Sequence, residues 1–391
     1  MKFDFDKVVD RHGTKCLKYD FAKERGRSDD MLPLWVADMD FQTAPGIQKS
    51  LSDAVAHGIY GYSEGKDDYF QAAAGWYEKH FGWKVEKEWL IKTPGVVFAL
   101  AMAVKAYTKE GDAVLLQQPV YYPFSEVITD NHRRLINSPL QQIDGHYEIN
   151  FEEFEQKIVE ENVKLFLMCS PHNPVGRVWK ELELRKIGDI CLKHNVLVVS
   201  DEIHSDFTYG ENIHHVFASL DEKYAAITTT CTAPSKTFNI AGLQISNIWI
   251  SNPELRARFR AEVTAAGYSQ VNLMGLVACQ AAYETGEEWL KELKIYLEGN
   301  LDYVRTFLKE NLPEIKLTEP EGTYLLWLDF KSLGMKEEQL KDLVENKAKL
   351  WLDSGAMFGP DGEGFERINI ACPREILKQA LTQLAESVHD R

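Results

Sequence analysis

Through the middle of the chain, short apolar runs alternate with longer stretches whose apolar positions recur every three or four residues. The runs are Ala113-Val114-Leu115-Leu116, Lys164-Leu165-Phe166-Leu167-Met168-Cys169, Val196-Leu197-Val198-Val199-Ser200 and Ala226-Ile227-Thr228-Thr229-Thr230-Cys231. They read as strands buried on both faces, with amphipathic helices such as residues 179–194 between them. That alternation predicts an α/β fold with a mostly parallel sheet covered by helices. Residues 244–251 read as a further strand. Residues 45–57 read as a helix, with Pro45 suited to its first turn. Beyond about Glu287 the texture changes. A long charged helix over 289–310 is followed by a strand over 322–330, a helix near 335–347, a strand over 366–372 and a closing helix over 374–388. This reads as a smaller α+β domain that also takes in the irregular first forty or so residues. The expected division is 46–286 for the large domain, and 1–45 with 287–391 for the small one.

The 391 residues are 45% hydrophobic and 27% charged, the balance of an ordinary globular protein. The net charge of −16 argues against nucleic acid or an anionic membrane as a partner, since both call for clustered Lys and Arg. No apolar run reaches the roughly eighteen residues that a membrane span needs. The opening Met1-Lys2-Phe3-Asp4-Phe5-Asp6 lacks the apolar core of a signal peptide. The cysteines Cys16, Cys169, Cys191, Cys231, Cys279 and Cys372 form no C-x-x-C pair. They read as reduced core thiols of a cytoplasmic protein, with a catalytic cysteine as the alternative.

Candidate chemistry gathers just after the strands. Ser170-Pro171-His172-Asn173-Pro174, Asp201-Glu202-Ile203-His204-Ser205-Asp206, Ala233-Pro234-Ser235-Lys236-Thr237 and Pro119-Val120-Tyr121-Tyr122 each follow one. In a parallel sheet those ends share the carboxyl edge, where open α/β sheets bind their ligands. An amide, a carboxylate, an amine and an aromatic ring thus meet in one crevice. Together they suit a phosphorylated pyridine aldehyde: Lys236 condenses with the aldehyde, Asp201 pairs with the ring nitrogen, Asn173 donates to the ring oxygen, and Tyr121 stacks on the ring. The phosphate needs a helix N-terminus, and Thr93-Pro94-Gly95-Val96-Val97 opens a helix pattern reaching about Lys109.

Taken singly, each piece has a plainer reading. Asn173-Pro174 can be a turn, Asp201 a cap, Lys236 a loop lysine, the helix at Gly95 scaffold, and Tyr121 core. Asp201, Glu202, His204 and Asp206 could suggest a metal, but alternating strand-end positions point different ways, so no metal is expected. Gly359-Pro360-Asp361-Gly362-Glu363-Gly364 lacks the Lys-Ser/Thr of a phosphate loop and reads as a mobile surface loop.

The joint pattern resembles the fold-type I pyridoxal phosphate (PLP) enzymes, the aspartate aminotransferase superfamily. Within it, the chain is most similar to the MalY/PatB branch of cystathionine β-lyases and cysteine-S-conjugate β-lyases. The resemblance runs over nearly the whole chain. It is carried by Trp35-Val36-Ala37-Asp38-Met39-Asp40-Phe41, Tyr60-Gly61-Tyr62-Ser63, residues 171–179, residues 201–206, residues 235–243 and Arg367-Ile368-Asn369-Ile370-Ala371.

The resemblance implies a seven-stranded large-domain sheet and PLP as cofactor. Lys236, Asp201 and Tyr121 would carry the chemistry. Asn173, His204, Ser235, Gly95, Val96 and Val97 would bind the cofactor, and Tyr62 would reach the neighbouring subunit's phosphate in a homodimer. Arg367, Ala37 and Asn173 would hold the substrate. His204 stands where many aminotransferases have a tyrosine, and Gln244 where they have a phosphate-binding arginine. The implied activity is β-elimination on cystathionine or another S-substituted cysteine. Transamination is the alternative, and a regulatory protein partner is an additional implied role. The steps up to the Cα carbanion are shared, so the motifs themselves do not separate the two reactions.

Overall fold

A computed structural model describes residues 2–390. Seven strands form the large sheet: β1 (Leu90–Thr93), β2 (Ala113–Leu116), β3 (Arg134–Asn137), β4 (Val163–Cys169), β5 (Leu197–Asp201), β6 (Thr228–Thr232) and β7 (Ser246–Trp249). Their spatial order is β1-β7-β6-β5-β4-β2-β3. Only β7 runs against the rest, pairing antiparallel with β1 and β6. Leu165 and Leu167 of β4 pack on one face, with helices Val96–Tyr107 and Pro253–Ala265. Phe166 and Met168 pack on the other, with helices Phe151–Glu160 and Glu181–Lys193. Both faces are therefore dry, which is why β4 is apolar without alternation from Leu165 to Cys169.

The expected strands and helices are present with shifts of up to three residues at their ends, the largest at the start of Leu325–Asp329 and the end of Phe365–Asn369. Trp179, expected inside a helix, lies before it, because the Glu183 side chain accepts from Lys180 N at 2.8 Å and starts the helix at Glu181. Trp179 instead donates through Nε1 to Cys169 O at 2.9 Å, bracing the end of β4. The helix near 335–347 begins as α over Glu337–Lys341 and widens to π over Asp342–Lys347.

A second, antiparallel sheet holds β8 (Lys316–Thr318), β9 (Leu325–Asp329), β10 (Asp353–Ser354) and β11 (Phe365–Asn369) in the order β8-β9-β11-β10. The N-terminal segment joins this region: Leu32–Pro33 pairs in parallel with Leu350–Trp351, and Trp35 stacks on Trp351 with ring centroids 4.6 Å apart. Helix Glu287–Asn311 runs beneath both.

The glycine-rich stretch 359–364 lies at the surface, with Pro360, Asp361 and Glu363 exposed, but its glycines anchor it inward. It forms a 3-10 turn over Pro360–Gly362 whose backbone packs on Gly355, and a Cβ at Gly362 would lie 2.0 Å from Gly355 O. Gly359 has φ 128°, and a side chain there would meet Gln118. Its neighbour Phe358 is buried and accepts from Val120 N, so the stretch is packed into the wall beside the Tyr121 turn. Among the described residues no helix is long and apolar enough to cross a membrane.

Candidate active site

Because β1, β2, β4, β5 and β6 are parallel, their carboxyl ends open on one edge. The reversed β7 brings its entry residue Gln244 there too. A cavity of about 440 Å³ lies at that edge, lined by Lys236, Asp201, Asn173, Tyr121, His204, Ser235, Gly95, Val96, Val97 and Ala37, with Cys169, Ile203 and Gln244 among the rest. Ten residues singled out from the sequence thus share one wall.

Asp201 ends β5 and is buried. Its carboxylate accepts one backbone N–H, from Ile203 at 3.1 Å, and no cation among the described residues pairs with it. Burial pushes it up to about 7, the Ile203 bond and the Lys236 charge opposing. Lys236 sits in the short helix Pro234–Thr237, half-buried, and donates to Ala37 O at 2.8 Å. Burial lowers it to about 8, with Asp38 opposing and Arg367 adding to the drop. His204 is buried, its Nδ1 without a partner, and burial holds the ring neutral.

At the opposite end the helix starting at Val96 presents its first N–H groups, which have no intrahelical acceptor. Gly95 is extended (φ 168°), and a Cβ there would meet no protein atom within 4 Å. Neither backbone nor packing requires glycine at that point, so the space it leaves belongs to the cavity. Thr93 bonds Ser246 through the two hydroxyls at 2.7 Å, fixing this turn to β7.

Asn173 and Tyr121 are locked together, Tyr121 N donating to Asn173 O at 3.0 Å. Arg367 comes from β11 of the other sheet and is 2% exposed. Its Nη1 donates to Asn173 Oδ1 at 2.9 Å and its Nη2 to Trp35 O at 2.9 Å, with Asp353 on the same nitrogen. Its Nε has no partner. Tyr62 is not in this cavity. It is 93% exposed, in a neighbouring hollow that shares Pro94 and Gln244 with it.

The two acids that follow Asp201 have partners of their own. Glu202 is taken by Ser200, His214 and Phe217 N, and Asp206 by Trp76 and Thr237. Sequence reasoning missed Asp353 and Tyr324. Asp353 is set beside Arg367 by strand register alone. Tyr324 donates to Ala37 O at 3.0 Å and packs its ring against His204. It also missed Asn239, although it lies in the quoted 235–243 motif. Asn239 accepts from Met39 N and donates to the carbonyls of Met39 and Phe41, tying the Lys236 loop to the N-terminal segment.

A buried carboxylate without a cation, an amine tuned downward, an imidazole nitrogen without a partner and an open helix N-terminus surround one cavity. These residues fit PLP: a carboxylate for the pyridine nitrogen, an amine for the aldehyde, and donors for the ring oxygen and the phosphate. The profile of the family described as aminotransferase class I and II matches residues 30–384.

The chain belongs to the class I and II aminotransferase family.

Within that family it is 43% identical to cystathionine beta-lyase PatB of Bacillus subtilis over 381 residues, covering 97% of this chain and 98% of PatB. It is 34% identical to protein MalY of Escherichia coli, covering 99% of each. Among solved structures of the fold, cystalysin from Treponema denticola, which contains pyridoxal 5′-phosphate, superposes with a TM-score of 0.96 at 39% identity, covering 100% of both chains. The PLP-bound C-S lyase from Staphylococcus hominis gives 0.93 at 33% identity, covering 99% of this chain and 98% of that one.

Proposed function

We propose that this family member is a PLP-dependent C–S β-lyase. It takes cystathionine or another S-substituted L-cysteine and one water to a thiol, pyruvate and ammonia. The observation that carries the cofactor is the placement of Lys236 and Asp201 on one cavity, an amine and a cation-less carboxylate. The full-length likeness to PatB supports elimination over transamination.

Bound PLP supplies an electron sink for charge developing at Cα. Lys236 anchors the cofactor and moves the Cα proton, its lowered basicity suiting a base near neutral pH. Asp201 holds the proton on the pyridine nitrogen. Asn173 and His204 bind the ring oxygen, and Tyr121 covers a ring face. The N–H groups at Gly95, Val96 and Val97, with Ser235, hold the phosphate. Arg367 grips the α-carboxylate, with the Ala37 backbone beside it. The working unit in this reading is a cytoplasmic homodimer in which Tyr62 completes the partner's phosphate site. Residues 46–286 form the cofactor lobe, and 1–45 with 287–391 the lobe that closes over it.

The test is to incubate the enzyme with L-cystathionine and no keto acid. Thiol and pyruvate released in equal amounts support the reading. Product that forms only when a keto acid is added makes the enzyme an aminotransferase.

A further inference from the structure

Next to the Lys236 loop, at the bond from Thr237 to Asp206, lies a separate hollow of about 500 Å³ that shares no lining residue with the cofactor cavity. It is walled by the end of helix Asp67–Phe81, the loop after Asp206 and the first turns of helix Glu287–Asn311. Among the described residues, four of its charged groups have no ion-pair partner; Lys291 and Glu298 are exposed to water, whereas Asp206 and Lys294 are half-buried. Asp206 accepts only from neutral donors, Trp76 Nε1 at 3.1 Å and Thr237 Oγ1 at 2.6 Å. Lys294, half-buried on the facing helix, has no carboxylate of the described residues within ion-pairing distance. Burial lowers its basicity, while Asp206 and Glu298 favour its charge from farther off.

A half-buried ammonium and a carboxylate that face the same hollow without meeting are each left to water, so a ligand carrying both complementary charges can replace that water on both at once. The rest of the wall supplies apolar surface from Phe81, Leu290, Ile213 and Ile295, the last two largely exposed in this chain. Of the other acids on the wall, Glu287 is already paired with Lys79, and Glu298 is exposed one helical turn beyond Lys294.

We propose that this hollow is a second site for a free α-amino acid with an aliphatic side chain. Its ammonium bonds Asp206, its carboxylate bonds Lys294, and its side chain lies on Leu290, Ile213 and Ile295. Only a zwitterion satisfies both groups at once; a simple anion leaves Asp206 facing it, and a simple amine leaves Lys294 bare. The site touches the reaction centre through one bond, since Thr237, which donates to Asp206, directly follows Lys236.

Equilibrium dialysis of L-leucine against the holoenzyme tests this. The enzyme is first treated with aminooxyacetate, whose oxyamine caps the cofactor aldehyde and closes the catalytic cavity to amino acids. The expected result is one L-leucine held per subunit after capping. Lys294→Gln should weaken it by about tenfold or more, as for a lost charged hydrogen bond. Lys294→Arg should retain it, and both variants should keep the parent's turnover of L-cystathionine. Loss of all L-leucine binding on capping overturns the proposal, and so does equal affinity in Lys294→Gln.

Discussion

Arg367 donates to Asn173 Oδ1 at 2.9 Å, joining a strand of the small antiparallel sheet to the carboxyl edge of the large one. The bond spends the amide oxygen of Asn173 on the guanidinium, which leaves its NH₂ as the donor for the cavity. It holds Nη1 of the guanidinium, while Trp35 O and Asp353 hold Nη2. A planar fork can serve all three partners and still meet a carboxylate; a point charge cannot.

Arg367→Lys is therefore expected to raise KM for L-cystathionine by about 10- to 100-fold, the worth of one charged hydrogen bond or slightly more. The cofactor's visible absorbance should be unchanged. Steady-state kinetics with an absorbance scan check both.

Gly95→Ala separates folding from cofactor binding. The added Cβ meets no protein atom within 4 Å, and the extended backbone tolerates alanine. The melting temperature of the apoenzyme should match the parent's. The dissociation constant for PLP should rise about tenfold, or about 1.4 kcal/mol, because the methyl group narrows the phosphate cradle. Fluorescence titration with PLP measures it.

Asp201→Asn should stabilise the apoenzyme while disabling it. Burial raises the folded carboxyl to about 7, whereas the unfolded chain ionises it near 4. Between those values the unfolded state binds fewer protons, so this carboxyl's contribution is full below about pH 4 and is lost as pH rises through about 7. At about 1.4 kcal/mol per tenfold change, the loss is bounded at roughly 4 kcal/mol. Melting curves should show the advantage of apo Asp201→Asn growing from pH 5 to pH 8. Its turnover with PLP should fall by about a hundredfold or more, as expected when a positioned proton-holding group is removed.

Lys236 sets the acid limb of the rate profile. Its amine is held near 8 by burial, and only the neutral form takes a proton. Thus kcat should climb with pH through an apparent pKa near 8 and then level. Lys236→Ala should lose about three orders of magnitude or more, in the range of general-base catalysis. A pH series of thiol release reads both.

Mixed dimers test Tyr62. Subunits carrying Tyr62→Ala and subunits carrying Lys236→Ala are each expected to be nearly inactive. Unfolding and refolding them together should restore one working site per mixed dimer, since one site then combines an intact Lys236 with the partner's intact Tyr62. Absence of recovery in the mixture would remove Tyr62 from the partner's site.

Much of the fold could be read along the chain. Ala113–Leu116 was bounded to the residue, because four apolar positions between polar ones leave little choice. The reversed direction of β7 could not be read, since a buried strand has the same composition whichever way it runs. Lys236, Asp201, Asn173 and Tyr121 are visible because each lies within five residues of the end of an apolar run. Asp353 was not, because nothing in Leu352-Asp353-Ser354 marks a buried acid.

The sequence by itself determined the period of each element and, through it, which side chains stand at strand ends; that information is local and covalent. The tertiary structure alone decided which of those ends face one another. The register of Asp353 against Arg367, and the arrival of Trp35 O at a guanidinium 332 residues away, depend on sheets and segments closing over one another. Such contacts follow from packing the whole core, and no stretch of the chain carries them alone.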